Sequence, residues 1–344
     1  MTSDARFDAL GAWLERVLPA PMESIAPASA DASFRRYFRV TLVREIALPN
    51  AGPRVGTLIA MDAPPPHEDC RPFIAVARLL AAANVHAPVV LAADLPRGFL
   101  LLSDLGTRTY LAELSEATAP ALYRDAMAAL VRWQAASREG VLPRYDEALL
   151  ARELNLFADW YVAKHLGVPL ADAQRTVLDN AFRQIIANNL AQPCVYVHRD
   201  YHSRNLMVVE PRPGVLDFQD AVYGPITYDL VSLLRDAYVA WDEEHQLDWA
   251  VRYWEHARAA GLPVGADFAA FWSDFEWMGV QRQLKVLGIF ARLYHRDGKG
   301  AYLEEMPRVM SYLRRACARY AELAPLLKLL DELEASQPVI GYSL

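Results

Sequence analysis

The sequence predicts an α+β protein with two lobes, a small antiparallel β-sheet lobe followed by a larger, mostly helical lobe. The chain has 344 residues, of which 53% are hydrophobic, which is enough for a large core and favours two lobes. Short β-type runs fall mostly within residues 30–102, whereas helical patterns dominate from Thr109 onward. One pair of short β-type runs, near residues 195–218, interrupts the helical part. We therefore place the first lobe at residues 1–105 and the second at residues 106–344.

The predicted first lobe starts with an amphipathic helix, whose apolar spacing runs over residues 7–18 and which Pro19 ends. Four β-type runs follow, with one helix between the second and the third. The runs are residues 30–40, 57–61, 89–91 and 99–102, and the helix is 71–83 with a proline in its first turn. The lobe ends at residues 103–106, where a strand meets a glycine before a helix.

Helical patterns fill the predicted second lobe. They cover residues 122–133, 149–166, 177–190, 226–238, 249–259, 268–294 and 302–333. Most tryptophans and tyrosines of this part fall at helical spacing with Leu or Phe, so core packing is their better interpretation.

Composition argues against several classes of protein. A net charge of −7 argues against a general nucleic-acid binder. The three cysteines, Cys70, Cys194 and Cys317, are far apart and lack metal-ligand spacing, so neither a disulfide framework nor a zinc site is expected. The N-terminal residues lack a continuous apolar core, and no window of about eighteen apolar residues occurs. We expect a cytoplasmic, monomeric enzyme acting on small molecules, with no nucleic-acid or membrane partner.

The pair of short β-type runs near residues 195–218 carries three polar residues at positions typical of a phosphate-transfer site. Asp200 comes just after an apolar run, so its carboxylate is expected at a strand end, where it can accept the proton of an attacking hydroxyl. Asn205 lies five residues later. A Pro/Gly turn separates the next apolar run, residues 206–209, from the run that carries Asp217, which predicts a hairpin. That hairpin would bring Asn205 and Asp217 together.

An amide and a carboxylate on opposite sides of a hairpin predict a Mg²⁺ site, because this ion takes only one or two oxygen ligands from the protein. A base, an amide ligand and a carboxylate ligand also form the minimal set for phosphoryl transfer, in which the protein mainly positions and neutralises. The alternative is that His-Arg-Asp is merely a charged turn between buried strands. Asn205 at this offset, and Leu-Asp-Phe after a hairpin, favour the kinase-type interpretation.

With these motifs, the chain resembles the aminoglycoside phosphotransferase and choline kinase superfamily. Residues 198–205 resemble its His-Gly-Asp-x-His-x-x-Asn pattern, with Arg199 in place of glycine, and residues 216–230 resemble its Ile-Asp-Trp/Phe…Gly-Pro…Asp-Leu-Ala pattern. Four segments resemble more closely the bacterial anomeric kinases of cell-wall recycling, which phosphorylate N-acetylmuramate and N-acetylglucosamine at the C1 hydroxyl. These segments are residues 31–39, 61–70, 98–106 and 214–220.

The resemblance implies a bilobal protein-kinase-like fold that uses ATP and Mg²⁺. It makes Asp200 the catalytic aspartate, Asn205 and Asp217 the metal ligands, and Asp229 the carboxylate that braces the catalytic loop. A plain charge in the first turn of a helix is the alternative for Asp229. His198 is expected to be a scaffold residue of this loop.

Two departures from the superfamily concern the nucleotide. Residues 31–39 contain no glycine and three arginines, and Met61 stands at the strand position that usually carries a phosphate-binding lysine. One of the arginines is expected to replace that lysine, because guanidinium binds phosphate bidentately; the alternative is a solvated strand edge. Glu68 would orient the arginine, and the backbone of residues 103–105 would bind adenine. The resulting nucleotide set is Ser33, Phe34, Arg35, Arg36, Arg39, Ser103, Asp104 and Leu105.

The acceptor is expected to be a small hydroxylated molecule. Only twelve positions separate Asp217 from Asp229 and no Ala-Pro-Glu follows, which leaves no platform for a polypeptide. Aminoglycosides are polycations that need an acidic pocket, whereas the lactyl carboxylate of a muramyl sugar prefers a cation. The charges near the motif are mixed and slightly favour a neutral or anionic sugar. The acceptor candidates are His202, for which phosphate contact and loop bonding stay open, and Arg204, Arg235 and Arg282, for which surface salt bridging is the alternative.

The expected function is therefore an ATP-dependent sugar 1-kinase for N-acetylmuramate, N-acetylglucosamine or both, in peptidoglycan recycling. An aminoglycoside-type or other small-molecule hydroxyl phosphotransferase is the first alternative. A nucleotide-binding pseudokinase is the second, because the lysine and glycines are missing.

Overall fold

The computed structural model describes residues 4–30, 34–47, 54–65 and 67–335. The chain folds as two compact units. The first, which we call the sheet unit, consists of Met1–Glu113 and Asn205–Asp220. The second, the helical unit, consists of Leu114–Arg204 and Ala221–Leu344. The lobe boundary at 105/106 stays a prediction, and the hairpin segment belongs to the sheet unit although it lies far along the chain.

The sheet unit is built on a five-stranded antiparallel sheet in the order β1-β2-β3-β5-β4. A helix precedes the sheet, a second helix stands between β3 and β4, and a one-turn helix ends the first segment. The elements are α1 Ala5–Val17, β1 Met22–Ala30, β2 Arg36–Ile46, β3 Val55–Asp62, α2 Cys70–Ala82, β4 Val90–Asp94, β5 Phe99–Ser103 and α3 Tyr110–Glu113. The sheet prediction is confirmed, apart from β1.

One face of this sheet is covered by α1. Leu10, Trp13 and Leu14 of the helix pack on alternate strand residues such as Val40 and Leu58, and all five are less than 5% exposed. Since neighbouring strand residues point to opposite faces, even-numbered residues of β2 face α1 and odd-numbered ones face away. Arg36, with an even number, therefore lies on the α1 face of β2, and Arg39, with an odd number, lies on the opposite face.

Strand β1 was not predicted, because its sequence contains Pro27 and has little β-type character. The structure explains this: β1 is an edge strand, and a proline at an edge removes no hydrogen bond from the ladder. The register of β1 against β2 shifts between Pro27 and Ser29, next to this proline.

The predicted hairpin is confirmed. Strands β6 Cys194–Val197, β7 Leu206–Met207, β8 Gly214–Val215 and β9 Val222–Pro225 follow in the chain, and β7 pairs antiparallel with β8. Within the sheet unit, the Val215 amide donates to the His86 carbonyl at 2.7 Å, which ties the hairpin to the segment after α2.

The helical unit is mostly α-helix, with β6 and β9 paired as a small antiparallel ladder. The helices are α4 Ala119–Ala135, α5 Glu147–Leu156, α6 Asp172–Ala191, α7 Tyr228–Leu234, α8 Glu243–Ala259, α9 Phe268–Asp297, α10 Met306–Arg319 and α11 Ala324–Ala335. A π-helical stretch, Phe157–Leu166, extends α5, and 3₁₀ turns Gly300–Glu305 and Ala321–Leu323 flank α10. Helix α9 is the centre of the unit: at Gly288 an added Cβ would lie 2.3 Å from the Leu156 backbone, so α5 and α9 approach closely there.

Two helix predictions are wrong in extent. The pattern over 302–333 is broken at Tyr320, because Pro325 lacks an N–H and its ring would clash with the Ala321 carbonyl in a continuous helix. The pattern over 226–238 forms only Tyr228–Leu234, because the Asp236 carboxylate accepts the Tyr238 amide at 2.9 Å and takes the chain out of the helix.

No helix in the described residues is long and apolar enough to cross a membrane. The α+β fold class, with its antiparallel sheet and mostly helical remainder, is as predicted.

Candidate active site

The catalytic loop starts where β6 ends, at His198, and is braced by Asp229. The Asp229 carboxylate, fully buried in the first turn of α7, accepts the His198 amide at 2.6 Å and the Arg199 amide at 3.0 Å. Burial raises the pKa of Asp229 to about 7, although these two N–H donors oppose the rise. The geometry is that of the expected brace rather than of a plain helix charge.

Asp200 lies on the same loop with its backbone fixed on both sides. Its amide donates to His198 Nδ1 at 3.2 Å, and its carbonyl accepts the His202 amide at 3.0 Å. Burial by itself raises the pKa of Asp200, but the positive charges of Lys285 and its neighbours outweigh this and hold it below the ordinary value. Asp200 is therefore an ionised carboxylate near neutral pH, which is the state that accepts a proton.

A buried ionic network supports this loop, and the sequence analysis missed it. Glu153, with a 6% exposed side chain, pairs with Arg199 and, at 3.1 Å, with Lys285 Nζ. Lys285 also donates to the Tyr228 hydroxyl at 2.8 Å. Arg199 has a left-handed backbone φ of 78°, at the position where the superfamily pattern has glycine. The available signal was this arginine together with Glu153, which stands among leucines in a helical pattern.

The two expected metal ligands lie together in the sheet unit. Asn205 Nδ2 is 3.4 Å from Asp217 Oδ2, and the Leu216 amide donates to the Asn205 carbonyl at 2.9 Å. Gln219, which the sequence analysis did not single out, donates from Nε2 to Asp217 Oδ1 at 2.8 Å. Asp217 itself has a φ of 61°, a left-handed conformation that turns the chain at the end of β8.

This donor set fits Mg²⁺, because an amide oxygen and a carboxylate leave most of an octahedron for water and phosphate oxygens. Within the described residues there is no group of three or more His, Cys, Asp or Glu side chains that could hold a metal ion. The assignment of Asn205 and Asp217 as metal ligands stays a prediction.

Arg35, one of the arginines predicted to replace the missing lysine, pairs with Glu68 as expected for an oriented side chain. Its guanidinium pairs with Glu68 at 2.9 Å, and the same carboxylate accepts the Phe34 amide at 3.3 Å. Burial by itself lowers the pKa of Arg35, but nearby groups, chiefly Tyr37 and Glu68 and to a smaller extent Asp220 and Asp217, outweigh this and raise it.

The other two arginines of the segment are engaged elsewhere in the sheet unit. Arg36 lies on the α1 face and donates from Nε to the buried Asp62 at 3.0 Å, which removes it from the phosphate-binding candidates. Arg39 donates from Nε to Asp104 at 2.6 Å and from its guanidinium to the Gly106 carbonyl at 2.9 Å. This pair holds the end of β5 rather than leaving a free guanidinium.

The remaining candidates for nucleotide binding differ in whether they have a charge or a free backbone group to offer the nucleotide. Met61 is fully buried between Tyr37 and Leu100 of the neighbouring strands, so it supplies no charge. Ser103 is not free to bind adenine through its amide, which donates to the Val89 carbonyl at 2.9 Å. Leu105, in contrast, forms no backbone hydrogen bond within the part of the chain that the structure describes. Ser33 lies outside the described residues.

The residues predicted to bind the acceptor also differ in burial and in their partners. Arg235 is buried against Glu276, with 3.0 Å between the paired atoms and both side chains 1% exposed, so it is structural. Arg204 is exposed and lies over the Tyr238 ring, with 3.7 Å from Cζ to the ring centroid. The His202 ring meets the same tyrosine edge-on at 5.4 Å, and burial lowers the pKa of His202. Arg282 is 5% exposed on α9.

The fold and these residues define a phosphotransferase. The model of the phosphotransferase enzyme family, the family of aminoglycoside phosphotransferases, matches residues 24–268, and the chain belongs to this family. The expected enzyme class and superfamily are thereby confirmed.

Two curated relatives are similar to this chain in sequence. A Pseudomonas aeruginosa protein named N-acetylmuramate/N-acetylglucosamine kinase is 50% identical over 343 residues, which cover 97% of this chain and 98% of the relative. A Neisseria meningitidis protein of the same name is 53% identical over 325 residues, covering 93% of this chain and 94% of the relative. The chain is thus similar over nearly its full length to kinases of this name.

Solved structures support the fold alone, because their sequence identities are low. Choline kinase LicA from Streptococcus pneumoniae has a TM-score of 0.64 at 11% identity, covering 91% of this chain and 99% of that one. A streptomycin-ATP-APH(2")-IIa ternary complex has a TM-score of 0.57 at 14% identity, covering 98% of each chain. The protein-kinase-like fold expected from the motifs is confirmed.

Proposed function

We propose that this protein is an ATP-dependent kinase that phosphorylates the anomeric hydroxyl of N-acetylmuramate, N-acetylglucosamine or both. The observation that carries the proposal is the placement of Asp200 on a loop whose preceding backbone amides are bonded to the buried Asp229, which holds a carboxylate in position to accept the proton of a hydroxyl. The acceptor comes from the name of the relatives that this chain resembles over nearly its full length. Turnover of these sugars in peptidoglycan recycling, by a cytoplasmic monomer, is part of the same proposal.

The first chemical role belongs to Asp200, which orients the C1 hydroxyl and accepts its proton as the bond to phosphorus forms. An anomeric hydroxyl is more acidic than an ordinary alcohol, which makes this transfer easier. The brace of Asp229 on the loop amides, and the Glu153 network behind Arg199, keep this carboxylate in one place. A base fixed in position contributes to rate through orientation as well as proton transfer.

The second role is neutralisation of phosphate charge. Asn205 and Asp217 would hold Mg²⁺, which when bound supplies a positive charge to the phosphate oxygens. Arg35, oriented by Glu68, would supply the second positive charge in place of the usual lysine. Because both groups are present in the sheet unit, the missing lysine and glycines do not favour a pseudokinase. The protein's task in this reaction is mostly positioning and charge stabilisation.

The proposal is tested by incubating the protein with ATP and Mg²⁺ and each of three acceptors: N-acetylmuramate, N-acetylglucosamine and kanamycin. Phosphorus NMR is expected to show a sugar C1 phosphate with at least one N-acetyl sugar and no product with kanamycin. The variant Asp217→Ala should give no product, because the carboxylate ligand is lost. Product from kanamycin alone would establish the aminoglycoside alternative, and no ADP release with any acceptor would contradict the enzyme.

A further inference from the structure

The arginines near the catalytic loop of the helical unit are not equivalent in charge pairing. Arg199 pairs with Glu153, and Arg235 pairs with Glu276, so each of these two positive charges is neutralised inside the fold. Neither Arg204 nor Arg282 forms an ion pair with any acidic side chain in the described ranges of the chain. Two cations of this unit, one at the end of the loop that carries Asp200 and one on α9, therefore have no direct salt-bridge partner among the described residues.

Arg204 is presented in a fixed way. Its guanidinium lies over Tyr238, with Cζ 3.7 Å from the ring centroid, and the Tyr302 ring is 5.9 Å from the same atom. Stacking on an aromatic face uses the flat surface of a guanidinium and leaves its N–H groups, which lie in the plane, pointing to solvent. These edges match the two oxygens of a carboxylate.

A single buried residue fixes both the arginine and its platform. Asp236, 1% exposed, accepts the Ser203 amide at 2.8 Å through one carboxylate oxygen and the Tyr238 amide at 2.9 Å through the other. Ser203 is the residue before Arg204, so the bond to Asp236 fixes the backbone beside this arginine. The stacked pair is thus built into the same loop that carries Asp200, rather than being a chance surface contact.

Arg282 adds charge from beneath this loop. It is 5% exposed, and its Nε has no hydrogen-bond partner among the described residues. Its charge is felt by His202, which stands between Asp200 and Arg204 in the chain and meets Tyr238 edge-on. Its charge also lowers the pKa of the buried Asp229, and its unused Nε donor leaves one hydrogen bond for a further acceptor.

We propose that Arg204, stacked on Tyr238 and reinforced by the charge of Arg282, binds the lactyl carboxylate of an acidic amino sugar. In this way Arg204 sets the preference between the acidic and the neutral acceptor. The inference rests on the proposed function and deepens it, because N-acetylmuramate carries this carboxylate and N-acetylglucosamine does not. The competing role for Arg204 is contact with the phosphates of ATP, which both acceptors would need equally.

The test compares kcat/KM for the two sugars in wild-type protein, Arg204→Met and Arg204→Lys. In Arg204→Met the ratio of N-acetylmuramate to N-acetylglucosamine kcat/KM should fall by about 10- to 100-fold, the loss typical of a charge-assisted hydrogen bond. Arg204→Lys should restore only part of the ratio, because a lysine keeps the charge but not the planar fork. Arg258→Met is the matched control, since Arg258 is also exposed and stacked, 4.8 Å above Trp254.

Two results would overturn this assignment: an equal loss with both sugars in Arg204→Met, or a loss that appears as a higher KM for ATP. Calorimetric binding of each sugar separates this assignment from the proposed function. If wild-type protein phosphorylates neither sugar but binds N-acetylmuramate in an Arg204-dependent way, the carboxylate assignment holds and the proposed function fails. If it binds neither sugar, both fail.

Discussion

The helical unit and the sheet unit hold their functional carboxylates in different ways. In the helical unit, Asp200 is on a loop whose amides are bonded to buried Asp229, with a second buried carboxylate, Glu153, neutralising two cations behind it. In the sheet unit, Asp217 lies two residues after the short strand β8, and the side-chain amides of Asn205 and Gln219 contact its carboxylate. The proposed base is thus held by buried groups of the helical unit, whereas the proposed metal ligands contact side chains close to them in the chain.

This difference indicates that, in the helical unit, the residues that hold Asp200 also contribute strongly to the free energy of unfolding. Losing a buried counter-ion there leaves charges without partners in a low-dielectric interior, which is far more costly than losing a surface pair. In the sheet unit, a change at Arg35 affects a side chain that is oriented by Glu68 but is not part of a core. We expect such changes to act on nucleotide use with little effect on folding.

The largest effect is expected for Asp200→Asn, which removes the proton acceptor from the braced loop. The rate constant kcat should fall by about 10²- to 10⁴-fold, the usual contribution of a general base. The affinity for ATP, measured by calorimetry, should stay close to wild type, because the metal pair and Arg35 belong to the other unit. A kcat within a few-fold of wild type would show that Asp200 is not the base.

The next effect is a loss of stability in Glu153→Leu, which removes the buried carboxylate that pairs with Arg199 and Lys285. The free energy of unfolding, from urea titration, should fall by about 3–5 kcal/mol. The exposed pair of Arg175 and Asp179, with paired atoms 3.0 Å apart, provides the control: Asp179→Ala should cost less than about 1 kcal/mol. If both variants lost the same free energy of unfolding, buried ion pairs would contribute no more to stability here than exposed ones.

The same variant has a pH signature. Burial by itself raises the pKa of Glu153, but Lys285 and Arg199 outweigh it and hold the pKa below the ordinary 4.5. Because the folded pKa is lower than the unfolded one, the stabilisation is fully present above about pH 4.5 and is lost as the pH falls through the folded pKa. The stability gap between wild type and Glu153→Leu should therefore shrink as the pH is lowered below 4.5.

The smallest expected effect is a change in the KM for ATP, which should differ between variants of two neighbouring arginines of the sheet unit. Arg35→Met should raise the KM for ATP by about 10-fold or more, because a charge-assisted bond to phosphate is lost. Arg36→Met should leave this KM unchanged and instead weaken the packing of α1, because Arg36 pairs with Asp62 on that face. The reverse pattern would show that the charge replacing the strand lysine comes from the α1 face.

Much of this protein was predictable because its signals are local. The hairpin that joins Asn205 and Asp217 follows from apolar runs and a Pro/Gly turn, and it forms as expected. The break at Tyr320 was missed, although Pro325 gave a local reason for it. The role of Arg36 could not be assigned from sequence, because strand parity relative to α1 is known only once the register of β2 and β3 is fixed.

By itself, the sequence determined the α+β class and the strand-loop-hairpin unit that carries Asp200, Asn205 and Asp217, because residue type, spacing and turn chemistry are properties of neighbouring positions. Tertiary structure decided which charges are neutralised. It joined Glu153 to Arg199 and Lys285, removed Arg235 and Arg36 from the candidate sites, and left Arg204 stacked but without a counter-ion. These ion pairs join groups that are distant in the chain and close in space, so no local pattern encodes them.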